Sequence, residues 1–158
     1  MQLKRFQPRI AQPYPEKAHL DSASLFKRVA AIIYDSLLVG GLLFVVSFAA
    51  TAMNGMEAVS GPVFQSLLLV VFVGFFTKFW VNGGQTAGMK AWRLRVETLD
   101  GRPISPFQAV VRVCCSLFSV AVFGLGYIWK VFDPEGQTWH EKLSGTRTTE
   151  LAKKDDSK

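Results

Sequence analysis

The sequence predicts an all-α integral membrane protein with two transmembrane helices, a third, shorter apolar element that is either re-entrant or spanning, and a small cytosolic strand pair. Three observations carry this. Hydrophobic residues make up 49% of 158 and charged residues 19%, below the roughly 25% charge of a soluble domain. The charges are unevenly placed, leaving long stretches nearly bare. Basic residues flank those stretches instead of forming one stripe with interleaved aromatics, so the net charge of +6 points to anionic lipid headgroups, not to nucleic acid.

Residues 1–23 read as a polar tail. Lys4, Arg5, Arg9 and Lys17 are interspersed with prolines, and there is no early apolar core of the signal-peptide kind. The membrane domain is expected over residues 24–150, with a charged tail at 151–158. The first apolar segment runs from Val29 to about Ala52 and holds a single charge, Asp35. As a helix it would be roughly 36 Å long, enough to cross a hydrocarbon core of ~30 Å with tilt. Lys27 and Arg28 stand at its mouth. Residues 53–61 form a loop without Lys or Arg. The second segment starts at Pro62, a good first helical residue, and ends near Val81 with Lys78 and Trp80 at the interface.

Residues 82–106 carry Lys90, Arg93, Arg95 and Arg102. The run Arg93-Leu-Arg-Val-Glu-Thr alternates with period two before the turn signal Asp100-Gly101. The Gly-rich run 83–90 follows an apolar segment and lacks Walker spacing, so it reads as a turn and not a phosphate loop. The third segment, Phe107 to Phe132, begins near Arg112 and is interrupted by Gly124-Leu-Gly126. The basic flanks place the N-terminus and the 82–106 loop in the cytosol. A full third crossing would put Lys142, Arg147, Lys153 and Lys154 outside, against that rule. A weak repeat bears on the same point: Gly84-Gln-Thr86 recurs as Gly136-Gln-Thr138, aligning Lys78 with Lys130, Lys90 with Lys142 and Arg95 with Arg147. Both observations favour a third segment that enters and returns, with both termini cytosolic and 93–98 paired to 146–151.

Arg28, Asp35, the Gly-Gln-Thr-x-Gly-x-Lys run at 84–90, the strand and turn after it, Arg112, and Gln-Thr-x-His-x-x-x-x-Gly-Thr at 137–146 together resemble the RDD family of bacterial membrane proteins over about residues 24–150. The family's arginine corresponds to Arg28, its first aspartate to Asp35, and its later aspartate to the position of Glu141. The resemblance implies residence in the bacterial cytoplasmic (inner) membrane and a transport role.

Asp35 is the leading site candidate, about 10 Å along the helix from Arg28. An ionised carboxylate at that depth is costly unless it faces protein or water. It is either a cation or proton site or half of a structural pair. Arg28 shares its face but points back along the axis. Arg112 enters from the same side on another segment and is the favoured partner, with Lys78 third. His140 and Glu141 are secondary candidates: the histidine is placed to titrate near neutral pH, or is an ordinary exposed or capping residue. Cys114 and Cys115 are adjacent in an apolar run and read as small packing residues. No metal-ligand spacing and no nucleophile–base arrangement is present, so neither an enzyme nor a bound cofactor or metal is expected. Two functions stay open: transport or exchange of ions or small solutes through Asp35, possible as a homo-oligomer, and a membrane scaffold that assembles with other membrane proteins. Recognition of anionic lipid through the basic loops is a third.

Overall fold

The computed structural model describes residues 14, 18–122, 124–134 and 136–151. The terminal tails expected at 1–23 and 151–158 lie mostly outside them. Ten elements follow one another: β1 (Ala18–Ser22), α1 (Leu25–Met53), α2 (Pro62–Gly83), α3 (Ala87–Ala91), β2 (Leu94–Thr98), α4 (Pro106–Ala121), α5 (Leu125–Ile128), a 3₁₀ turn (Trp129–Val131), α6 (Trp139–Ser144) and β3 (Thr146–Leu151).

Among the described residues, α1 and α2 are each long and apolar enough to cross a membrane. Large apolar side chains stay exposed along them, Leu37 at 74%, Phe44 at 70% and Val63 at 84%. Water would penalise such surfaces and lipid does not. Pro62 opens α2, and Gly84 closes it in the left-handed conformation at φ +68°. A Cβ on Gly84 would lie 2.6 Å from the Val96 carbonyl oxygen, so the tight passage from helix to strand requires glycine.

The expected strand pair is present. β2 and β3 form a regular antiparallel ladder from Leu94 opposite Glu150 to Thr98 opposite Thr146. A third strand, β1, adds to the far side of β3 with an irregular register, giving the order β1-β3-β2. Sequence reading put residues 18–22 in the polar tail, because five residues without clear alternation carry no strand signal; β3 supplies the ladder. The Gly-rich run is more than a turn, since Thr86 caps α3 there, its side chain accepting from the Met89 N–H at 3.2 Å.

The third apolar segment is not one straight helix. Ser105 and Gln108 form a capping box at the start of α4. The chain then bends by 106° into the stretch Leu125–Val131, with Gly124 left-handed at φ +75°. α6 packs back on α4. β2 precedes the segment and β3 follows it, yet both belong to one sheet. The polypeptide therefore leaves the sheet along α4 and comes back to it.

Beneath the sheet lies a small core of Ala23, Ala31, Trp80, Met89, Leu94, Val96, Ile104, Ala109 and Val113. It ties the first turns of α1 and α4 and the last turn of α2 to the strands, and the functional candidates converge at this end.

Candidate functional site: a charged floor beneath an apolar cavity

Two acids organise this end of the molecule, each held by one copy of the Gly-Gln-Thr repeat. Thr86 begins α3 and its hydroxyl donates to Asp35 Oδ2. The Gly88 N–H donates to Asp35 Oδ1 at 2.9 Å. A Cβ on Gly88 would stand 2.4 Å from the Ala31 carbonyl oxygen and 2.9 Å from Asp35 Cγ, so glycine is what lets α3 lie flat on α1. Thr138 plays the equivalent part at α6: its N–H and its hydroxyl both donate to Glu141 Oε2, each at 2.9 Å.

Glu141 is the hub. Its Oε1 faces Arg28 Nη1 at 2.8 Å and Arg112 Nη2 at 3.8 Å and accepts from the Thr148 N–H at 2.6 Å. The Arg28 Nε donates to the Ala23 carbonyl at 3.0 Å and its Nη2 to that of Thr148 at 3.2 Å. Arg112 donates to the hydroxyls of Thr146 and Thr148, both at 2.6 Å, and its guanidinium lies 5.3 Å from the Trp80 ring centroid. Glu141 is 1% exposed, Arg28 5% and Arg112 4%. Charges this buried persist only when paired and hydrogen-bonded, and every carboxylate lone pair of Glu141 has a partner. Burial alone would push the Glu141 carboxyl up, but Arg28, Arg112 and the Thr138 N–H outweigh it and hold it well below the usual carboxylate range.

The expected Asp35–Arg112 pair is therefore not the one the fold builds. Among the described residues, Asp35 takes its hydrogen bonds from α3, and both arginines meet at Glu141. The expectation compared depths along two helices. Depth says nothing of azimuth, and an acid from α6 reaches the arginines first. Lys78, the third suggested partner, is exposed on α2.

His140 is buried and packs against Tyr127, the rings tilted by 53° with centroids 4.7 Å apart. Burial, reinforced by Arg112, pushes its imidazole well below the ordinary value, with Glu141 opposing. It is thus neutral near pH 7. Its Nε2 is 2.9 Å from Thr138 Oγ1. That hydroxyl spends its one proton on Glu141, so Nε2 carries the imidazole proton and Nδ1 is a bare acceptor. Among the described residues Nδ1 has no hydrogen-bond partner, and neither has Arg112 Nε.

Above this floor α1, α2 and α4 enclose a cavity of about 340 Å³. Arg28, Arg112 and His140 line its sheet end, and Asp35 lines the α1 wall. Ser36 and Ser116 also line it. Their hydroxyls donate to the carbonyls of Ile32 at 2.7 Å and Arg112 at 2.8 Å, which leaves oxygen lone pairs free. The remaining walls are largely apolar, with Val39, Phe72, Phe76 and Val113 prominent. So the structure gathers Asp35, Arg28, Arg112 and His140 around one space. Glu141 braces that space from behind and Lys78 lies outside it. The residues that sequence reading passed over are Thr86, Gly88, Thr138 and Thr148. The repeated Gly-Gln-Thr was the signal for two of them.

Among the described residues no group of three or more His, Cys, Asp or Glu side chains is placed to hold a metal ion. Two helices of membrane-spanning length, a charged floor and a bent third segment are the marks of a membrane protein. The family model for the RDD family matches residues 22–145, and the chain belongs to that family. No curated protein and no solved structure matches it.

Proposed function

We propose that the protein exchanges a small cation or protons across the bacterial cytoplasmic membrane, with Asp35 as the exchanging group. The observation that carries this is the placement of Asp35 on the wall of a cavity between helices of membrane-spanning length. Among the described residues the carboxylate has only neutral donors on it, Thr86 and Gly88. Among the described residues no arginine pairs with it, which leaves it able to bind and release a cation. Ser36 and Ser116 add hard oxygen ligands suited to alkali ions or water. In this reading α1 and α2 cross the bilayer, and the sheet, both termini and the basic 82–106 loop face the cytosol. The third element enters and returns. A domain with so few helices would complete its pathway as a homo-oligomer.

The alternative is a membrane scaffold. It is favoured by the Arg28–Glu141–Arg112 cluster, which is spent on joining α1, α4, α6 and β3. Reconstituted vesicles carrying a pH or sodium gradient separate the two. Exchange predicts flux that Asp35→Asn abolishes while insertion is preserved; a scaffold predicts no flux from the unaltered protein.

A further inference from the structure

We propose that the cavity takes a lipophilic organic ammonium ion, its positive charge on Asp35 and its apolar part against an aromatic ladder on α2. This rests on the reading of Asp35 as the exchanging group and names the cation that it exchanges.

Two stripes meet at the cavity. Ala31, Asp35 and Val39 recur every four residues along α1, all three are buried, and all three line the cavity. Residues four apart share a helix face, so Asp35 stands on the inward face of α1. Phe72, Phe76 and Trp80 recur every four residues along α2 and line the cavity too. Their rings form a ladder, with centroids 5.1 Å apart from Phe72 to Phe76 and 5.4 Å apart from Phe76 to Trp80. The first turn of α1 and the last turn of α2 both stand at the sheet end. Asp35 is ten residues into α1, and Phe76 and Phe72 are seven and eleven residues from the end of α2. At 1.5 Å per residue these positions are about 15, 10 and 16 Å deep. The carboxylate is therefore at the depth of the two phenylalanines.

The chemistry of this space selects an organic cation. Among the described residues Asp35 receives one neutral hydrogen bond on each oxygen, so each oxygen keeps a further lone pair and the charge stays unmatched. Ser36 and Ser116 spend their protons on helix carbonyls and offer the cavity only lone pairs. Aromatic faces attract cations, and the ladder already serves one: the Arg112 guanidinium lies 5.3 Å from the Trp80 ring centroid. Phe76 and Phe72, one and two turns deeper, continue the ladder past that cation. The arginines at the sheet end are the opposing charge. They are turned to Glu141, Thr146 and Thr148, and Arg28 stands about 10 Å along the helix from Asp35. An alkali ion fits the carboxylate but not the rest, because a largely hydrocarbon wall gives it no ligands. A neutral amphiphile would leave the carboxylate unpaired. The volume of about 340 Å³ falls within the ~300–1,000 Å³ of small-molecule pockets. Ile32 of α1 and Leu117 of α4 line the cavity and are 40% and 39% exposed, so it opens between helices, where a lipophilic ion partitions.

The test is equilibrium binding to the full-length protein in phosphatidylcholine nanodiscs, with empty nanodiscs as the control for partition. The probes are benzyltrimethylammonium and its uncharged carbon isostere, neopentylbenzene. The expected result is one cation per chain, bound at least tenfold more tightly than the isostere. Asp35→Asn should bring the cation down to the level of the isostere, whose own binding reports that the cavity is still formed. Phe76→Leu, which keeps the carboxylate, should weaken the cation by about threefold and the isostere by less. Equal binding of the two probes, a preference kept by Asp35→Asn, or displacement of the cation by equimolar sodium would each overturn the proposal. Proton or sodium flux that needs Asp35, without binding of benzyltrimethylammonium, would overturn it and leave exchange at Asp35 standing. Binding without flux would uphold the site and overturn exchange.

Discussion

Replacing Glu141 by Gln removes a negative charge on which Arg28 and Arg112 converge, and leaves the size of the side chain nearly unchanged. The amide has a single acceptor oxygen. If that oxygen keeps Arg28 and the Thr148 N–H, the amide NH₂ is driven against the Thr138 N–H, which now has no acceptor. If it turns the other way, the guanidinium groups face a donor. Either arrangement strands buried positive charge at residues 4–5% exposed. Removing one member of a buried ion pair costs about 3–5 kcal/mol. For a chain of this length that lowers Tm by about 6–20 °C, which thermal unfolding of the solubilised protein, followed by monodispersity, would read. Glu141→Asp, one methylene shorter, keeps the charge and should lose less than half of that. Substituting all three charged residues by Leu or Met should recover most of the loss, because apolar replacement of a whole buried cluster is often neutral. If Glu141→Gln stays within about 1 kcal/mol of the parent, or the triple replacement is worse than the single one, the cluster is not what joins α1, α4 and α6.

Further consequences are open to measurement. Thermal stability should fall as the medium is acidified, in two stages. His140 has a folded value well below 6.5, so below pH 6.5 the unfolded chain takes up a proton that the fold resists. Glu141 has a folded value below 4.5, so the stability it contributes is complete above 4.5 and is lost on further acidification. Each costs about 1.4 kcal/mol per pH unit per proton, and His140→Gln should remove the first stage only. Gly88→Ala should destabilise by about 1–3 kcal/mol, the range for an overpacked contact, because the methyl meets the Ala31 carbonyl; an unchanged Tm would mean α3 does not lie on α1. Reporter fusions at residue 158 and within 54–60 should read opposite sides of the membrane. The same side for both would restore three full crossings.

The two long helices and the ladder between residues 94–98 and 146–151 follow from sequence because each rests on local pattern. Twenty or more residues with almost no charge, and period-two alternation ending in a turn, need no partner to be recognised. The break in the third segment was readable from Gly124-Leu-Gly126. Partner identity was not. Arg112 and Asp35 are close in depth, yet they lie on different walls, and the azimuth of a helix is set by packing that only the fold supplies. Glu141 sits in a stretch with the composition of an exposed loop. It becomes a buried hub because Thr138 starts a short helix that carries it beneath α1 and α4. A closer reading of the repeat would have helped. If Thr86 serves an acid in one copy, Thr138 should serve one in the other, and Glu141 is the acid three residues on.

The account divides labour between two acids, with Glu141 holding the floor together and Asp35 left to exchange. Flux per folded, inserted protein in Asp35→Asn vesicles tests this most directly. Asparagine keeps the shape of the side chain and an oxygen for the Gly88 N–H, so the account predicts normal insertion, a Tm near that of the parent, and loss of cation-coupled flux. Flux retained at the parental rate by a folded Asp35→Asn protein would contradict it.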